Sequence, residues 1–372
     1  MKKRDKLHSL LPLEEIERGA LQQIFDNLSD DRVLKMAIMP DVHQGYDLPI
    51  GGVALVDGHI CPSYVGYDIG CGMCAVNTGI LATDILPDRP SRERLFEALY
   101  RTIPVGLGGN RAARQYLEFK SPLGDKKMVA KVNKGVTNQL GTLGSGNHFI
   151  EISSDQQGLC WVTLHSGSRN AGHTVGSVYM AHAKRNQDRF LALESEPGQA
   201  YLHDMTYCLD FALENRRQMM ADTLGLIGFS DVECKRLLQE AMINENHNHA
   251  VVLDDGTVLH RKGATPAEED QLGIIPANMR DGIFITRGLG NQAYLSSASH
   301  GAGRVMSRSQ GRKIVKLDQF KASMQGIVAK VDRKTLDESP FVYKDINKVI
   351  EAQEGIVIEV INRLQPLVNV KG

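Results

Sequence analysis

The region from residue 36 to residue 81 constrains the fold most, because its short apolar stretches are repeatedly broken by glycine, proline and aspartate. Such punctuation is typical of successive strands joined by tight turns. Strand patterns recur near 250–260 and 273–287, and a final strand is predicted at 355–361. Helical periodicity predicts helices over 13–29, 90–101, 111–118, 171–191, 199–224, 230–243, 307–320 and 343–354.

These strands and helices do not alternate regularly along the chain, and no period of about 20 to 50 residues repeats. A doubly wound parallel sheet or a repeat architecture is therefore not expected. The sequence predicts an α+β fold with mixed sheets around a central cleft. We expect residues 1–372 to form a single domain, with a helical insertion at about 171–243.

The charge balance limits the kinds of partner that the chain can bind. Lys and Arg number 43 against 44 Asp and Glu, a net charge of −1, so a nucleic-acid partner would need a local basic patch. No apolar run reaches the roughly 18 residues of a membrane span, and the N-terminal residues lack a signal-peptide pattern. Six cysteines in 372 residues do not indicate a disulfide framework. The expected location is cytoplasmic, without a membrane partner.

A histidine stands among very small residues at 296–304, SSASHGAGR. Glycines let a ligand approach the backbone closely, and an arginine four residues after His300 suits phosphate oxygens. His300 could attack phosphorus or bind a metal ion. An ordinary glycine-rich turn would carry the same pattern, so both interpretations stay open at this point.

Five further residues are candidate metal ligands. Asp68 and Cys71 lie three residues apart on a glycine-rich turn, where zinc, iron and manganese are all chemically possible. His148, His165 and His247 each lie among small or amide residues at an expected strand or helix end. Because this set exceeds the needs of one tetrahedral ion, two ions bridged by the thiolate would use it better.

Asp41 and His43 lie close together in the segment MPDVHQG at 39–45. Their side chains could orient metal ligands by hydrogen bonds. They could equally be ordinary turn residues, and the sequence favours neither interpretation.

Eight short motifs occur in an order typical of one protein family. They are PDVH at 40–43, DIGCGM at 68–73, GNHFIE at 146–151, LHSGSR at 164–169, HN at 247–248, HRKGA at 260–264, RGLGN at 287–291 and SHGAGR at 299–304. Together they resemble the RtcB family of GTP-dependent RNA ligases. That family joins RNA 3′-phosphate or 2′,3′-cyclic phosphate ends to 5′-hydroxyl ends, and the resemblance runs from about residue 36 to the last residue.

The resemblance implies two Mn²⁺ ions and GTP as cofactors, RNA as substrate, and an archease-type activator as a possible partner. It implies His300 as the nucleophile that becomes covalently guanylylated, and Cys71 as the bridging ligand. The implied metal ligands are Asp68, Cys71, His148, His165 and His247. The implied guanylate contacts are Asn147, Glu151 through the base, Ser299, Arg304 facing phosphate, and Lys371.

An RNA-binding surface would need basic side chains near these motifs. The candidates are Lys127, Lys131, Lys134, Arg169, Arg261, Lys262, Arg304, Arg308 and Arg312. The segment 44–49 and Pro266 depart from the family pattern, which suggests a specialised RNA-repair paralogue rather than a general tRNA-splicing ligase. Two rival functions use the same ligands: a two-metal phosphohydrolase without a covalent guanylate step, and an RNA-binding protein that has lost catalysis.

Overall fold

The computed structural model describes residues 6–106, 108–110 and 113–372. The strands are β1 Leu7–Ser9, β2 Val33–His43, β3 Ile50–Asp57, β4 His59–Ile60, β5 Gly72–Leu81, β6 Phe149–Ser154, β7 Leu159–Ser166, β8 Leu191–Ala192, β9 Ile243–Asn246, β10 Asn248–Val252, β11 Thr257–Lys262, β12 Ala264–Pro266, β13 Leu272–Pro276, β14 Ile283–Gly288, β15 Ser297–Ser299, β16 Val328–Ala329 and β17 Ile358–Lys371. The α-helices are α1 Arg18–Leu28, α2 Pro62–Val65, α3 Ala82–Ile85, α4 Arg89–Thr102, α5 Lys126–Gln139, α6 Arg169–Arg185, α7 Glu196–Leu226, α8 Asp231–Glu240, α9 Arg308–Ile314, α10 Leu317–Ser323 and α11 Ile346–Glu351.

Two large sheets carry the fold. The smaller one has the strand order β1-β2-β3-β11-β10, with β1 parallel to β2 and the other pairs antiparallel. The larger one has the order β13-β14-β17-β6-β7-β5-β9, and β16 pairs with β17. Strands β9 and β10 follow each other directly along the chain but belong to different sheets. The residue between them, His247, therefore lies where the two sheets meet.

Helix α7 packs on the larger sheet. Met219 and Leu224 of α7 are fully buried in one core cluster with Val162 of β7 and Leu99 of α4. The described elements confirm the predicted α+β class. Within the described residues, no helix combines the length and apolar character required to cross a membrane.

The single helix expected at 307–320 is divided into α9 and α10, and two further local predictions were wrong. The helix expected at 111–118 includes Arg111 and Ala112, which lie outside the described residues, and 113–118 forms neither helix nor strand. Tyr116 in this segment instead contacts the rings of Tyr207 and Phe211 on α7, so tertiary packing overrides the local helical pattern.

The final strand was predicted at 355–361 but runs over Ile358–Lys371. Its later half pairs with β6, from Gln365 opposite Ser154 to Lys371 opposite Phe149. Pro366 lies at a register irregularity in this pairing, where a missing backbone donor is tolerated.

Candidate active site

Neighbouring strands of the larger sheet bring four candidate ligands together where the strands begin or end. Phe149 of β6 and Met73 of β5 both pair with His165 of β7, and Gly72 pairs with Asn246 at the end of β9. The residues flanking these pairs are His148, Cys71 and His247. Antiparallel register therefore gathers side chains that are distant in sequence. Gly72 permits this closeness, because a Cβ there would collide with the carbonyl oxygen of Glu245.

The five candidate ligands form two groups that share Cys71. One group is Asp68, Cys71 and His148, and the other is Cys71, His165 and His247. The Sγ atom of Cys71 lies 3.4 Å from Nε2 of His148 and 3.3 Å from Nε2 of His165. His165 Nε2 is 3.3 Å from His247 Nε2, and His148 Nε2 is 3.3 Å from a carboxylate oxygen of Asp68. The thiol therefore lies between two possible cation positions.

The ring nitrogens are oriented for metal binding. Nδ1 of His148 lies 2.9 Å from the carbonyl of Leu143, and Nδ1 of His165 lies 3.3 Å from the carbonyl of Asn147. A carbonyl can only accept, so each Nδ1 donates and each Nε2 presents a lone pair to the cluster. Both lone pairs point toward the Cys71 sulfur, an arrangement that a bound cation would stabilise. The donor set of thiolate, imidazole and carboxylate fits a transition-metal ion.

Burial keeps His165, His247 and Cys71 neutral in the absence of an ion. It lowers the pKa of His165 and of His247 well below the usual value, and the neighbouring histidines lower both further. Burial also raises the pKa of the Cys71 thiol well above its usual value, and the Asp68 carboxylate adds to that effect. Neutral imidazole is the form that binds metal, and a bound cation would stabilise the thiolate.

Arg216 on α7 holds the strand ends that carry the cluster. Its guanidinium is fully buried and donates to the carbonyls of Gly70 and Ser166, both at 2.9 Å. It also donates to the side chains of Asn244 and Asn246, at 2.8 and 2.7 Å. These four acceptors are adjacent or close in sequence to Cys71, His165 and His247. Arg216 could not be predicted from the sequence, because an arginine within a long helical pattern gives no signal of this role.

His300 lies beside the cluster and is held by Asp41. The rings of His300 and His247 have centroids 4.9 Å apart. Nδ1 of His300 donates to the buried carboxylate of Asp41 at 2.6 Å, and the backbone N–H of His300 donates to the same oxygen at 3.2 Å. From the sequence, Asp41 and His43 could either orient metal ligands or be ordinary turn residues. In the structure, the Asp41 side chain orients His300 instead of a metal ligand. The Nδ1 atom of His43 lies 2.9 Å from the backbone carbonyl oxygen of Asp41.

A cavity of about 270 Å³ opens next to His300. Phe149 and Tyr343 contribute aromatic surface to it, and Glu151 and Asn369 contribute polar groups. The predicted residues that line this cavity are Asn147, Glu151, His165, His300, Arg304 and Lys371. The structure therefore brings most of the implied guanylate contacts to one space beside the cluster.

Glu151 is the buried carboxyl of this cavity. Burial raises its pKa from 4.5 to about 8, although hydrogen bonds from Asn369 and Ser153 and the charge of Lys371 oppose the shift. Asn369 Nδ2 donates to one carboxyl oxygen at 2.8 Å, and Ser153 Oγ to the other at 3.3 Å. Both oxygens are fixed in place, so Glu151 is a preorganised acceptor once it loses its proton.

Glu338, which nothing in the sequence singled out, binds the basic side chains of the cavity. Its carboxylate accepts hydrogen bonds from Lys371 Nζ at 2.9 Å, Arg308 Nη1 at 2.5 Å and the Tyr343 hydroxyl at 2.7 Å. Arg304 Nη1 lies 3.5 Å from the same group. Arg304 also donates to the carbonyl of Asp337 at 2.7 Å. The pKa of Glu338 is lowered: burial opposes the shift, and the charges of Lys371 and Arg308 outweigh it.

Ser299 does not reach the cavity. It is fully buried, its hydroxyl accepts from Gln353 Nε2 at 2.6 Å, and its backbone N–H donates to Gln353 Oε1 at 3.1 Å. These bonds support the segment that carries His300 from behind. A direct nucleotide contact, which the resemblance implied for Ser299, has no geometric support here.

The candidate basic residues are spread over different environments. Arg261 is buried and donates to Ser297 Oγ at 2.9 Å and to Glu268 at 3.2 Å, so it braces β15 rather than lining a surface. Lys262 is also buried, which lowers its pKa to about 8, and it lines a cavity of about 180 Å³ with Asp68, Cys71 and His247. The side chains of Arg169, Arg304 and Arg308 line space next to the cluster or His300. The exposed members are Lys127, Lys131, Lys134 and Arg312.

Comparison with known proteins covers nearly the whole chain. The sequence profile of the family described as tRNA-splicing ligase RtcB matches residues 29–135 and 117–372. The RNA-splicing ligase RtcB of Escherichia coli K12 is 35% identical over an alignment of 392 positions, which covers 96% of this chain and 95% of that protein. The tRNA-splicing ligase RtcB of Pyrobaculum aerophilum is 30% identical over 425 positions, covering 90% of this chain and 87% of that protein.

Proposed function

The chain belongs to the RtcB family, and on that premise we propose that it is a GTP- and Mn²⁺-dependent RNA ligase. It joins RNA 3′-phosphate or 2′,3′-cyclic phosphate ends to 5′-hydroxyl ends through a histidine–GMP intermediate at His300. The observation that carries the proposal is the position of His300, held by Asp41 between a five-ligand cluster and a cavity of nucleotide character. We propose further that residues 1–372 act as one catalytic unit, with the helices of 171–243 as part of it.

The cluster supplies the metal sites of this proposal. Asp68, Cys71 and His148 would hold one Mn²⁺ ion, and Cys71, His165 and His247 would hold the other. Bound Mn²⁺ provides Lewis acidity that neutralises phosphate charge at the reacting phosphorus. The protein fixes the ligands from outside, through the carbonyls of Leu143 and Asn147.

The cavity binds the guanylate. The rings of Phe149 and Tyr343 offer flat apolar surface for the base, and the carboxylate of Glu151 accepts its N–H donors. The Nζ atom of Lys371 lies 3.4 Å from the carbonyl oxygen of Asn147 and 2.9 Å from a carboxylate oxygen of Glu338. It is placed to donate to a base carbonyl. Arg304 lines the same cavity and supplies positive charge toward phosphate.

His300 carries the covalent step. Its Nε2 lone pair attacks the α-phosphorus of GTP, so that an N–P bond forms while the bond to the bridging oxygen breaks and pyrophosphate leaves. The GMP group then passes to the RNA 3′-phosphate, and the N–P bond breaks. The RNA 5′-hydroxyl loses its proton, attacks the activated phosphorus and expels GMP. A cyclic phosphate is first opened by water to a 3′-phosphate.

The biological role that we propose is RNA repair or tRNA splicing, with broken RNA as the partner and an archease-type protein as activator. The names of the relatives support RNA as the substrate class. Sealing assays on broken RNAs of different structure, with and without such an activator, would identify the preferred substrate.

The decisive experiment uses GTP labelled at the α-phosphate, incubated with the protein and Mn²⁺ and followed by denaturing electrophoresis. We expect label on the wild-type protein and none on the His300→Ala variant. The control is His182→Ala, on α6 and outside the cavity lining, which should keep the label. Absence of label on the wild type would reject the ligase and favour a two-metal phosphohydrolase. Label on His300→Ala would move the nucleophile elsewhere.

A further inference from the structure

Three exposed aromatic rings lie together beside the candidate metal ligands. Tyr67 is stacked on His173, with ring centroids 5.1 Å apart and planes 22° from parallel. Tyr46 meets Tyr67 edge-on, with centroids 6.0 Å apart and an interplanar angle of 68°. Tyr46 is 63% exposed and Tyr67 is 40% exposed, and His173 is also exposed. A cluster of exposed rings of this kind is typical of an interaction site.

The position of the rings links them to the reaction site. Tyr67 directly precedes Asp68, and Tyr67 and His173 line an open groove of about 620 Å³ together with Asp68, His148 and Arg169. Tyr67 also borders the smaller cavity that reaches Cys71 and His300. By contrast, none of the three rings lines the cavity assigned to the guanylate. The groove therefore approaches the cluster from the side of Tyr67 and meets the guanylate cavity at Asn147.

The chemistry of the groove favours a nucleic acid over a protein. Besides its two rings, the groove is lined by polar side chains: Gln139, Ser145, Asn147 and Asn170. The buried core of a protein interface is largely apolar, whereas an unpaired nucleobase needs one flat ring for stacking and polar groups at its edge. The guanidinium of Arg169, which donates to the carbonyl of Gly106 at 3.1 Å, adds positive charge at the same place.

We propose that Tyr46, Tyr67 and His173 form a stacking platform for unpaired nucleobases of the RNA strand next to the junction. This inference rests on the proposed RNA ligase function and deepens it. It assigns the substrate class as RNA ends that are single-stranded at the junction, with the flanking base on Tyr67. A fully paired end would have to fray before it could be sealed.

The test measures RNA binding directly and without GTP, so that it does not depend on guanylylation. A short fluorescein-labelled RNA with a 3′-phosphate is titrated with Mn²⁺-loaded protein, and a second RNA lacks the base of its terminal nucleoside. A third RNA, with a 5′-hydroxyl end, has matched intact and abasic forms. One of the two RNAs, the 3′-phosphate or the 5′-hydroxyl one, carries the base that stacks on Tyr67. We expect Tyr67→Ala to weaken binding of the intact form of that RNA roughly 10-fold, as loss of one stacked base implies. Tyr67→Phe should restore it, since the ring rather than the hydroxyl is required.

The abasic RNAs identify the cause. For wild type, removing the stacked base should weaken binding as much as Tyr67→Ala does, and the two changes together should cost no more than either alone. Phe25→Ala on α1, which removes an equally exposed ring, is the control and should bind like wild type. Unchanged binding by Tyr67→Ala, or additive losses in the double change, would overturn the platform. A wild type that forms the GMP adduct but fails these tests would leave the ligase proposal standing, whereas a wild type without adduct would remove its basis.

Discussion

The Asp41 carboxylate and the His300 imidazole form a direct hydrogen bond of 2.6 Å from Nδ1, although they lie 259 residues apart in sequence. Asp41 is fully buried in β2. Gly303, whose φ is +72°, packs so closely against the backbone carbonyl oxygen of Asp41 that a Cβ there would collide with it. Because the carboxylate accepts from Nδ1, the lone pair of a neutral His300 lies on Nε2. That is the atom required for attack on phosphorus.

Asp41→Asn should therefore slow formation of the histidine–GMP adduct on the order of 100-fold or more. An asparagine amide can present its NH₂ group to Nδ1 and so favour the opposite tautomer, which places the proton on Nε2. The measurement is the single-turnover rate of labelling with GTP. Asp254→Asn, in an exposed turn, is the control and should label at the wild-type rate. The Mn²⁺ content of Asp41→Asn should be unchanged, and a loss of metal would assign Asp41 to the cluster instead.

The sequence was informative where chemistry is concentrated in short motifs. Cys71 was a candidate because of its glycine-rich turn, and His148 and His165 because each stands at a strand end among small residues. Register then brings Nε2 of each histidine within 3.4 Å of the Cys71 sulfur. Asp41 could not be assigned, because its partner His300 is brought to it only by tertiary folding. Arg216 and Glu338 gave no local signal at all: both act through acceptors or donors that are remote in sequence.

Cys71→Ala should remove both Mn²⁺ ions, because the thiol belongs to both ligand groups. Each group then retains only two protein ligands, which is too few for tight binding of a divalent ion. Metal content after gel filtration, measured by mass spectrometry, checks this. Cys74→Ala is a matched control, since Cys74 is a fully buried cysteine of the hydrophobic core three residues away. Two stoichiometric ions retained by Cys71→Ala would disprove the bridge.

Arg216→Met should lower Mn²⁺ affinity roughly 10- to 100-fold, because supports of metal ligands have effects of that size. The substitution keeps most of the side-chain volume but leaves the carbonyls of Gly70 and Ser166 without their donor. Such buried acceptors cost about 1–3 kcal/mol each, so the thermal midpoint of the apoprotein should also fall. Arg217→Met removes the exposed neighbouring arginine and should change neither quantity. Wild-type metal affinity in Arg216→Met would reduce this residue to a purely structural role.

Glu151 makes GTP binding dependent on pH. With a pKa raised to about 8 by burial, its carboxyl is mostly protonated at neutral pH, whereas a guanine edge offers N–H donors that require a carboxylate. Binding must then release a proton. The affinity for GTP should rise by up to about tenfold per unit between roughly pH 6 and 8 and level off above. The measurement is calorimetric titration of the His300→Ala variant, in which no adduct forms, in buffers of different ionisation enthalpy.

Glu151→Gln in the same background provides the control, because an amide of equal shape neither titrates nor accepts both donors. Its GTP affinity should be weak and independent of pH.

The pH dependence of folding stability gives a second measurement, and its direction follows from the shifted pKa. The folded pKa of about 8 exceeds the usual 4.5, so the folded state binds the extra proton between these values and wild type loses stability as pH rises through that window. Glu151→Gln should lose less over the same range. Parallel stability profiles for the two proteins, together with a flat GTP affinity in the parent, would show that Glu151 is ionised already and does not couple binding to protonation.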